Sequence, residues 1–381
     1  MQALEGVRVL DLTGGIAGPL GVLHLAEHGA DVIKVEPPGG RRDRSDPASR
    51  VYNRSRRSIT LDLGDPDGVG AFRRLCGTAD VLVEAFAPGT MAGLGLGYEA
   101  LQPECPGLVY CSVPAWPSGT RYQDVAGYEA LVHARTGQQW EVTGFRRGPV
   151  FLHSPVASFG ASFLVPIGIM AALVARQGSG RGQRVEVSLL QGAMSLTTQN
   201  WNWTDRGQFL LAKTHPPGIH QETIYECAGG EWIHAATTTG GTPTRSQDAV
   251  LGMEEVDFPT LLAMPAPERA EREGFRKEAF LRRDRASLIA ELHEAGLNAE
   301  AIVAPHEKFV HPQLLATGSV VEVDDPDVGL TTQLGPTIFL EGTPGKVRGP
   351  QPPAGGHTDE ILRSVGYDTG DIEAMRARGV I

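Results

Sequence analysis

The stretch that decides the fold runs from Val7 to Glu36 and reads V-R-V-L-D-L-T-G-G-I-A-G-P-L-G-V-L-H-L-A-E-H-G-A-D-V-I-K-V-E. Val7 to Leu12 is a short apolar run that predicts a strand, and the glycines that follow predict a turn. Pro19 to His28 has helical spacing and ends at a glycine, and Ala30 to Glu36 is a second apolar run. This order predicts a parallel βαβ unit.

The same alternation continues outward along the chain. Further strands are predicted at Ser58 to Leu63, at Ala79 to Phe86 and at Val109 to Val113. Asp65-Pro66 is a typical helix start, and the helix that it begins runs to about Cys76. Alternating strands and helices predict an α/β fold with a Rossmann-like open parallel sheet, whose ligand crevice lies beyond the carboxyl ends of the strands.

A second, smaller domain is predicted in the middle of the chain. Ser158 to Arg176 is apolar and helical, and a strand at Arg184 to Ser188 and another helix follow. After Trp201 the pattern changes to two strands within Thr223 to Ala236, joined by glycines, and then to charged helices. We therefore predict a large domain from residues 1–210 and 325–381, and a small α+β domain from residues 211–324.

Composition excludes several classes of partner. The net charge of -11 gives the 381-residue chain no electrostatic reason to bind nucleic acid or an anionic membrane surface. No basic segment precedes an apolar run at the N-terminus, and no sufficiently long apolar window predicts a membrane span. The four cysteines lack C-x-x-C spacing, which favours reduced thiols and a cytoplasmic location. A small anion can still bind at helix N-termini.

Several segments, in order from residue 4 to residue 362, resemble the class III CoA-transferase family, the group of formyl-CoA transferase, carnitine CoA-transferase and alpha-methylacyl-CoA racemase. They are L-E-G-V-R-V-L-D-L, A-G-P, G-A-D-V-I-K-V-E-P-P-G-G, N-R-S-R-R-S-I-T-L-D-L, A-P-G-T-M-A-G-L-G-L-G-Y-E-A-L, S-G-R-G-Q-R-V-E-V-S-L-L and H-T-D-E-I-L. Shared order and spacing make this resemblance far more specific than any single glycine motif.

The resemblance implies a large domain built from both chain ends, a small domain from the middle, and two protomers interlocked as a dimer. It also implies coenzyme A or an acyl-CoA as substrate and a small carboxylate as its partner. In the family an aspartate attacks the acyl thioester, forms a mixed anhydride and is then converted to an aspartyl-CoA thioester. This chemistry requires a carboxylate nucleophile.

The chain departs from the family at the catalytic position. Counting back from I-G-I-M-A-A-L, at Ile167 to Leu173, places Ser158 where the family carries its aspartate. A serine hydroxyl cannot form an anhydride and needs an adjacent base to attack at all, so the aspartyl-CoA route is closed here. His153 is the nearest candidate base in sequence, although a lone histidine is more often structural.

Tyr128 and Glu129 stand where transferases carry an aromatic-acid pair and racemases a histidine-aspartate pair. Racemisation needs a base and an acid on opposite faces of the carbon, and both racemase groups are missing. Glu129 could act alone as a base, and the equally good alternative is an ordinary carboxylate at a helix start. Together with Ser158, these two residues are the candidate catalytic group.

The resemblance also suggests where coenzyme A would bind. Gly93 stands where relatives often carry an arginine, and Ala85 stands where an asparagine is common, so two polar contacts are missing. Lys34 and Arg57, within matched motifs, are the most credible of the cations near the crevice, most of which suit an ordinary solvated surface. The predicted coenzyme A contacts are Ile16, Ala17, Lys34, Arg57, Ala85, Phe86 and Gly93.

Two further features complete the candidate site. The family's glycine-rich substrate loop would fall at Gly240 and Gly241, where a plain turn is an equally good interpretation. The histidines and cysteines show no metal-ligand spacing, so no metal is predicted.

Three functional interpretations stay open on the sequence alone. The first is an enzyme acting on acyl-CoA or carboxylates, with a displaced nucleophile or a repurposed chemistry on the same fold. The second is a non-catalytic or half-site subunit that pairs with an aspartate-bearing homologue, so that the assembly is a heterodimer instead of a homodimer. The third is a pocket that no longer takes coenzyme A, because a fold does not fix the function built on it.

Overall fold

A computed structural model describes residues 1–141, 148–196, 223–236 and 243–381 of the chain. Contacts divide it into two units, the first formed by Met1–Trp201 with Pro312–Ile381 and the second by Asn202–His311. The boundaries predicted from the sequence, near residues 210 and 325, differ from these limits, and the first of them lies outside the described residues. The domain limits therefore stay a prediction.

The N-terminal part of the first unit alternates strands with helices. Its elements are β1 (Arg8–Asp11), α1 (Ala17–Glu27), β2 (Asp31–Glu36), α2 (Pro47–Tyr52), β3 (Arg57–Thr60), α3 (Pro66–Cys76), β4 (Val81–Glu84), α4 (Thr90–Gly93), α5 (Tyr98–Leu101), β5 (Val109–Ser112), α6 (Glu129–Thr136), α7 (Gln138–Glu141), α8 (Val156–Ser179), β6 (Arg184–Glu186) and α9 (Leu189–Ser195).

Six of the described strands form one parallel sheet in the order β3-β2-β1-β4-β5-β6. Leu10 in the central strand β1 pairs with Ile33 of β2 on one side and with Leu82 of β4 on the other. The strand order reverses between β1 and β4, which is the point where open sheets of this kind bind ligands. The prediction of a Rossmann-like parallel sheet is confirmed.

Both faces of the sheet are covered, as all-parallel sheets require. Alternate residues of β1 point to opposite faces, so Val9 joins the cluster formed with α1 and α8, and Leu10 joins the cluster formed with Phe72 of α3. Both β1 residues are fully buried. The near-continuous apolar strands in the sequence reflect this burial on two sides.

The 24-residue helix α8 is the longest element of the described chain. Its length and composition alone would allow it to cross a membrane, and half of its most apolar window is buried inside the fold. Ala161, Val165 and Ile169 supply this burial, packing in the cluster that also contains residues of α1. The packing explains the apolar composition as that of a core helix.

The second unit combines a small antiparallel sheet with helices. Its described elements are β7 (Ile224–Glu226), β8 (Trp232–Ala235), α10 (Gln247–Val250), α11 (Phe258–Ala263), α12 (Ala266–Leu281), α13 (Arg285–Glu294) and β9 (Ala299–Ile302). The strands lie in the order β7-β8-β9. Tyr225 stacks on Phe280 with ring centroids 4.0 Å apart, at the centre of the core of this unit.

The chain then returns to the first unit. The elements there are α14 (Pro312–Ala316), β10 (Val320–Asp325), β11 (Gly329–Leu334), α15 (Thr358–Ser364) and α16 (Thr369–Ala377). Ile361 and Ile372, from the last two helices, are buried in the same cluster as Leu10. Both ends of the chain thus build one core, as the family resemblance implies.

Candidate active site

A cleft of about 430 Å³ opens at the carboxyl ends of β1, β4 and β5. Three loops that follow these strands form its walls, and Ser158 at the start of α8 and Leu189 at the start of α9 complete it. The loop segments are Gly14–Gly18, Ala85–Pro88 and, in the long loop after β5, Val113–Ala115 and Gln123–Gly127. The cleft thus occupies the edge of the sheet where the strand order predicts a ligand site.

The turn after β1 lies against the guanidinium group of Arg41. A Cβ atom on Gly14 would lie 1.8 Å from a guanidinium nitrogen of Arg41. Asp43 fixes the next residue, because its carboxylate accepts a hydrogen bond from the Gly15 N–H at 3.0 Å. Glycines therefore supply much of this wall of the cleft, together with Ile16 and Ala17, and they let a ligand approach the main chain closely.

Glu129 joins the starts of two helices. It is the first residue of α6, and its Oε1 atom accepts hydrogen bonds from the backbone N–H groups of Ala157, at 2.5 Å, and Ser158, at 3.3 Å. Its Oε2 atom accepts the hydroxyl hydrogen bond of Ser158 at 2.7 Å. Glu129 thereby supplies the acceptor for the unpaired N–H groups in the first turn of α8, a role that no side chain of α8 itself fills.

His133 lies one helical turn after Glu129 and faces the same carboxylate. Its Nε2 atom is 3.0 Å from Oε1 of Glu129, and the imidazole is 6% exposed against 20% for the Glu129 side chain. The Phe151 ring meets the imidazole edge to face at 5.6 Å. The Glu129 carboxylate therefore contacts the buried His133 on one side and the N-terminus of α8 on the other.

Two glycines hold α9 against the first turns of α8. A Cβ atom on Gly160 would lie 2.1 Å from the carbonyl oxygen of Gly192, and one on Gly192 would lie 2.3 Å from the carbonyl oxygen of Ala157. Backbone therefore contacts backbone at this crossing. Main-chain packing therefore helps to position Ser158, one residue after Ala157.

This arrangement presents a carboxylate and a hydroxyl as one unit. The N–H group of Ala157 and the Ser158 hydroxyl both donate hydrogen bonds to this carboxylate. An ionised carboxylate can attack a thioester, or it can accept the proton of the Ser158 hydroxyl while that oxygen attacks. Both atoms needed for acyl transfer are therefore within hydrogen-bond distance of one another.

Comparison with known proteins decides the family. The sequence model of CoA-transferase family III matches residues 4–358. The chain belongs to CoA-transferase family III. Its relatives include the succinyl-CoA–D-citramalate CoA-transferase of Chloroflexus aurantiacus, 30% identical over 100% of this chain and 98% of the relative.

Two further similarities support the family III assignment. The succinate–glutarate CoA-transferase of Agrobacterium fabrum is 31% identical, with 94% of each chain covered. The crystal structure of a CAIB/BAIF family protein from Brucella suis has a TM-score of 0.79 and 27% identity, and the match covers 96% of this chain and 99% of that one. The family resemblance drawn from the ordered motifs is confirmed.

The structure brings together only part of the catalytic group expected of this family III chain. Ser158 and Glu129 are in direct contact, as described above. Tyr128 precedes α6 with 71% of its surface exposed, and it does not line the cleft. His153, the base suggested by sequence proximity, is exposed and packs its ring against Phe151. Among the described residues, the histidine that reaches the Ser158–Glu129 pair is His133, which the sequence analysis did not single out.

Four of the predicted coenzyme A contacts line the cleft, namely Ile16, Ala17, Ala85 and Phe86. Gly93 ends α4 and lies outside the set of described residues that form the cleft wall. The predicted substrate loop, Gly240 and Gly241, falls outside the residues that the structure describes. The contacts that fit are thus backbone-rich segments that follow β1 and β4.

Lys34 and Arg57 do not fit the predicted role of phosphate ligands. Lys34 is 3% exposed, and its Nζ atom donates to a buried carboxylate oxygen of Asp11 at 3.1 Å. Arg57 begins β3, at the opposite end of the sheet from the cleft, and pairs with Asp31 and Glu360. Both cations form ion pairs within the fold, because the parallel register brings acidic residues of neighbouring strands against them.

Proposed function

We propose that this chain transfers coenzyme A between carboxylic acids, with Glu129 as the nucleophile in place of an aspartate at position 158. The observation that supports this assignment is the 2.7 Å hydrogen bond from the Ser158 hydroxyl to Oε2 of Glu129. This bond makes Glu129 the carboxylate that touches the position of the family's aspartate. In the proposal, the carboxylate carried by α6 takes over the attack that the aspartate makes from α8.

The proposed reaction follows the exchange used by carboxylate nucleophiles. A Glu129 oxygen attacks the thioester carbonyl of the acyl-CoA, the carbon–sulfur bond breaks, and the coenzyme A thiolate leaves a mixed anhydride. The thiolate then attacks the glutamyl carbonyl, which releases the first carboxylic acid and forms a glutamyl-CoA thioester. The acceptor carboxylate repeats the two steps in reverse and departs as the new acyl-CoA.

The neighbours of Glu129 have distinct roles in this proposal. The N–H groups of Ala157 and Ser158 orient the carboxylate before attack. The Ser158 hydroxyl donates to the attacking oxygen and must release it as the new bond forms. The buried His133 contacts the other carboxylate oxygen, Oε1, and this contact restricts the rotation of the carboxylate.

The substrates come from the same chemical class as those named for the relatives. The curated relatives carry names such as succinyl-CoA–D-citramalate CoA-transferase and succinyl-CoA:glutarate CoA-transferase. Both names combine an acyl-CoA donor with a carboxylic acid acceptor. We therefore assign this chain an acyl-CoA donor and a carboxylate acceptor, and we place the reaction in the cytoplasm.

Trapping the covalent intermediate tests the assignment directly. The purified protein would be incubated with succinyl-CoA or acetyl-CoA, quenched with borohydride or hydroxylamine, digested and examined by peptide mass spectrometry. Both reagents convert a glutamyl thioester or anhydride into a stable product on the side chain. We expect that product on Glu129, and we expect none in Glu129→Gln, with Glu373→Gln as a matched surface control.

Other results of this experiment would indicate a different nucleophile or a different assembly. An acyl ester on Ser158 would overturn the Glu129 assignment and indicate serine-based acyl transfer with Glu129 as its base. A chain that forms no adduct alone, but co-purifies with an aspartate-bearing homologue that does, would establish the half-site heterodimer. A homodimer with turnover and a Glu129 adduct would support the proposal as stated.

A further inference from the structure

A second cavity, of about 630 Å³, lies on the other side of α6 from the reactive pair. Glu129 and His133 are four residues apart and share one face of this helix, whereas Leu131, Ala134 and Arg135 lie on the opposite face. We call the cavity the α6 groove, and its described lining residues are Trp116, Tyr122, Val125, Leu131, Ala134, Arg135 and Leu190. Since neither member of the reactive pair lines it, the groove is separate from the site proposed for transfer.

The wall of the α6 groove is mostly apolar and aromatic. Trp116 is 2% exposed, and its Nε1 atom donates to the carbonyl oxygen of Val125 at 3.0 Å. The Tyr122 ring lies beside it, with the two ring centroids 5.8 Å apart. Val125 and Leu131 are 40% and 43% exposed and add aliphatic surface. A mostly apolar cavity of this size is typical of sites for small organic ligands.

Two arginines bring positive charge to one end of the α6 groove. The guanidinium of Arg135 lies 4.1 Å from the centroid of the Tyr122 ring, and that of Arg121 lies 4.6 Å from the same centroid. No carboxylate among the described side chains pairs with either guanidinium. Two like charges beside one ring repel each other, and an anion bound next to them would offset that repulsion.

Charge and surface together indicate the kind of ligand. Arg135 is the one charged side chain among the described lining residues, so the groove attracts anions. A small inorganic anion would leave the apolar wall in contact with water. A carboxylate with a hydrocarbon chain satisfies both parts of the groove, because guanidinium N–H groups match the two carboxylate oxygens and the chain buries apolar surface.

We propose that the α6 groove binds a straight-chain carboxylic acid of medium length. Its carboxylate binds Arg135, and its hydrocarbon chain packs against Trp116, Val125 and Leu131. Val125 also lines the transfer cleft, so the bound acid contacts the loop that forms part of the cleft wall. The groove is a site beyond the transfer chemistry and does not depend on which residue is the nucleophile.

Quenching of tryptophan fluorescence in the full-length protein tests the α6 groove. The probe is ω-bromodecanoate, because a bromine atom quenches a tryptophan that it touches. We expect saturable quenching by one probe per chain, and we expect Trp116→Phe to abolish the saturable part. Decanoate should displace the probe. Acetate, which lacks the chain, and decyltrimethylammonium, which has the opposite charge, should not displace it.

Substitutions at the two ends of the groove sharpen the test. Arg135→Met should weaken binding about 10-fold, from loss of a charged hydrogen bond, and Leu131→Gln about 3-fold, from loss of apolar contact. Arg282→Met is the matched control, since it removes an exposed arginine of the second unit, and it should bind as wild type does. Glu129→Gln should also bind as wild type does, so this test and that of the transfer mechanism can fail separately.

Other outcomes would overturn the proposal. Displacement by decyltrimethylammonium, with no effect of Arg135→Met, would show only an apolar surface. Binding that coenzyme A displaces, or that Glu129→Gln abolishes, would place the probe in the transfer cleft. Quenching that weakens at high protein concentration, with a dimer that Arg135→Met dissociates, would assign the groove to a second copy of this chain. Absence of saturable quenching would exclude the site. Arg135 and Leu131 are both exposed, so their variants keep the test decisive even where Trp116→Phe destabilises the fold.

Discussion

Two carboxylates near the same edge of the sheet have opposite surroundings. Asp11, at the end of β1, is 0% exposed and is paired with both Lys34 and Arg56, and it also accepts two hydrogen bonds from Thr13. Glu129 keeps 20% of its side chain exposed and is held by a helix N-terminus, a hydroxyl and one histidine. Both are well bonded, but only Glu129 can be reached from solvent.

Asp11 and Glu129 differ because their bonding partners are of different kinds. Burial alone would raise the pKa of Asp11, and the charges of Lys34 and Arg56 with the bonds from Thr13 outweigh it, so the pKa lies below its usual value. Such a carboxylate is held in the fold by two buried cationic side chains. Dipoles and a hydroxyl hold Glu129 instead, and they can reorganise as its charge moves to a substrate. A reactive carboxylate thus needs support without full neutralisation.

The largest expected effect is on catalysis at Glu129. Glu129→Gln keeps the shape of the side chain and its acceptor oxygen for the helix N–H groups, but it removes the nucleophile. Transfer should fall by at least about 10⁴-fold, because loss of a nucleophile removes the covalent route. The free energy of unfolding should fall by no more than about 2 kcal/mol, the value of a helix cap. Steady-state transfer and urea denaturation measure the two quantities. Wild-type activity in Glu129→Gln would refute the assignment of Glu129 as the reactive carboxylate.

The second effect concerns stability. Asp11→Asn leaves Lys34 and Arg56 buried without a counter-charge, so the free energy of unfolding should fall by about 3–5 kcal/mol. Urea denaturation followed by circular dichroism measures the change. Asp62→Asn, at an exposed carboxylate in a loop, is the matched control. A loss as small as that of the control would mean that Asp11 is no more structural than a surface acid.

A third substitution separates the two atoms of the reactive pair. Ser158→Ala removes the hydroxyl that donates to Glu129 and leaves the carboxylate in place. Transfer should then fall by only about 10-fold, the effect of one hydrogen bond to a charged group. The kcat of the purified variant is the measurement. A loss as great as that of Glu129→Gln would transfer the nucleophilic role to Ser158.

The smallest expected effect is a pH dependence of the free energy of unfolding, which comes from Lys34 in its buried pair with Asp11. Burial lowers the pKa of Lys34 to about 8, against the opposing charge of Asp11. The unfolded chain keeps this proton up to about 10.5, so folding releases a proton between these values and higher pH favours the folded state. The Lys34 contribution should rise by about 1 kcal/mol between pH 8 and pH 9. Urea denaturation of wild type and of Lys34→Met at pH 8 and pH 9 should show the wild-type free energy of unfolding rising relative to that of the variant.

Most of the parallel sheet could be predicted from the sequence. Apolar runs broken by glycine and proline predicted every strand of the parallel sheet to within a few residues, because a strand buried on both faces has a strong local signal. The region of α8 was also predicted, with its start two residues late. In the small unit the sequence predicted β7 and β8 within Thr223 to Ala236 but missed β9, because β9 pairs with β8, which lies far away in sequence.

The site was predicted only in part. Ser158 and Glu129 were singled out, but their contact depends on the crossing of α6 and α8, 29 residues apart. His133 was missed, although its spacing of four residues from Glu129 is visible in the sequence as a helix-face pair. Lys34 was misjudged because its partner Asp11 lies on a neighbouring strand, and only the register shows that the charge is already balanced.

The glycine crossing of α8 and α9 bears on how such a site can change in evolution. Because Gly160 and Gly192 bring main chain against main chain, the crossing of the two helices does not involve the side chain of residue 158. Exchanging the functional group at position 158 therefore leaves this crossing unchanged, whereas a side chain at either glycine would push α9 away from α8. The two glycines thus constrain the site, although neither bears any chemistry.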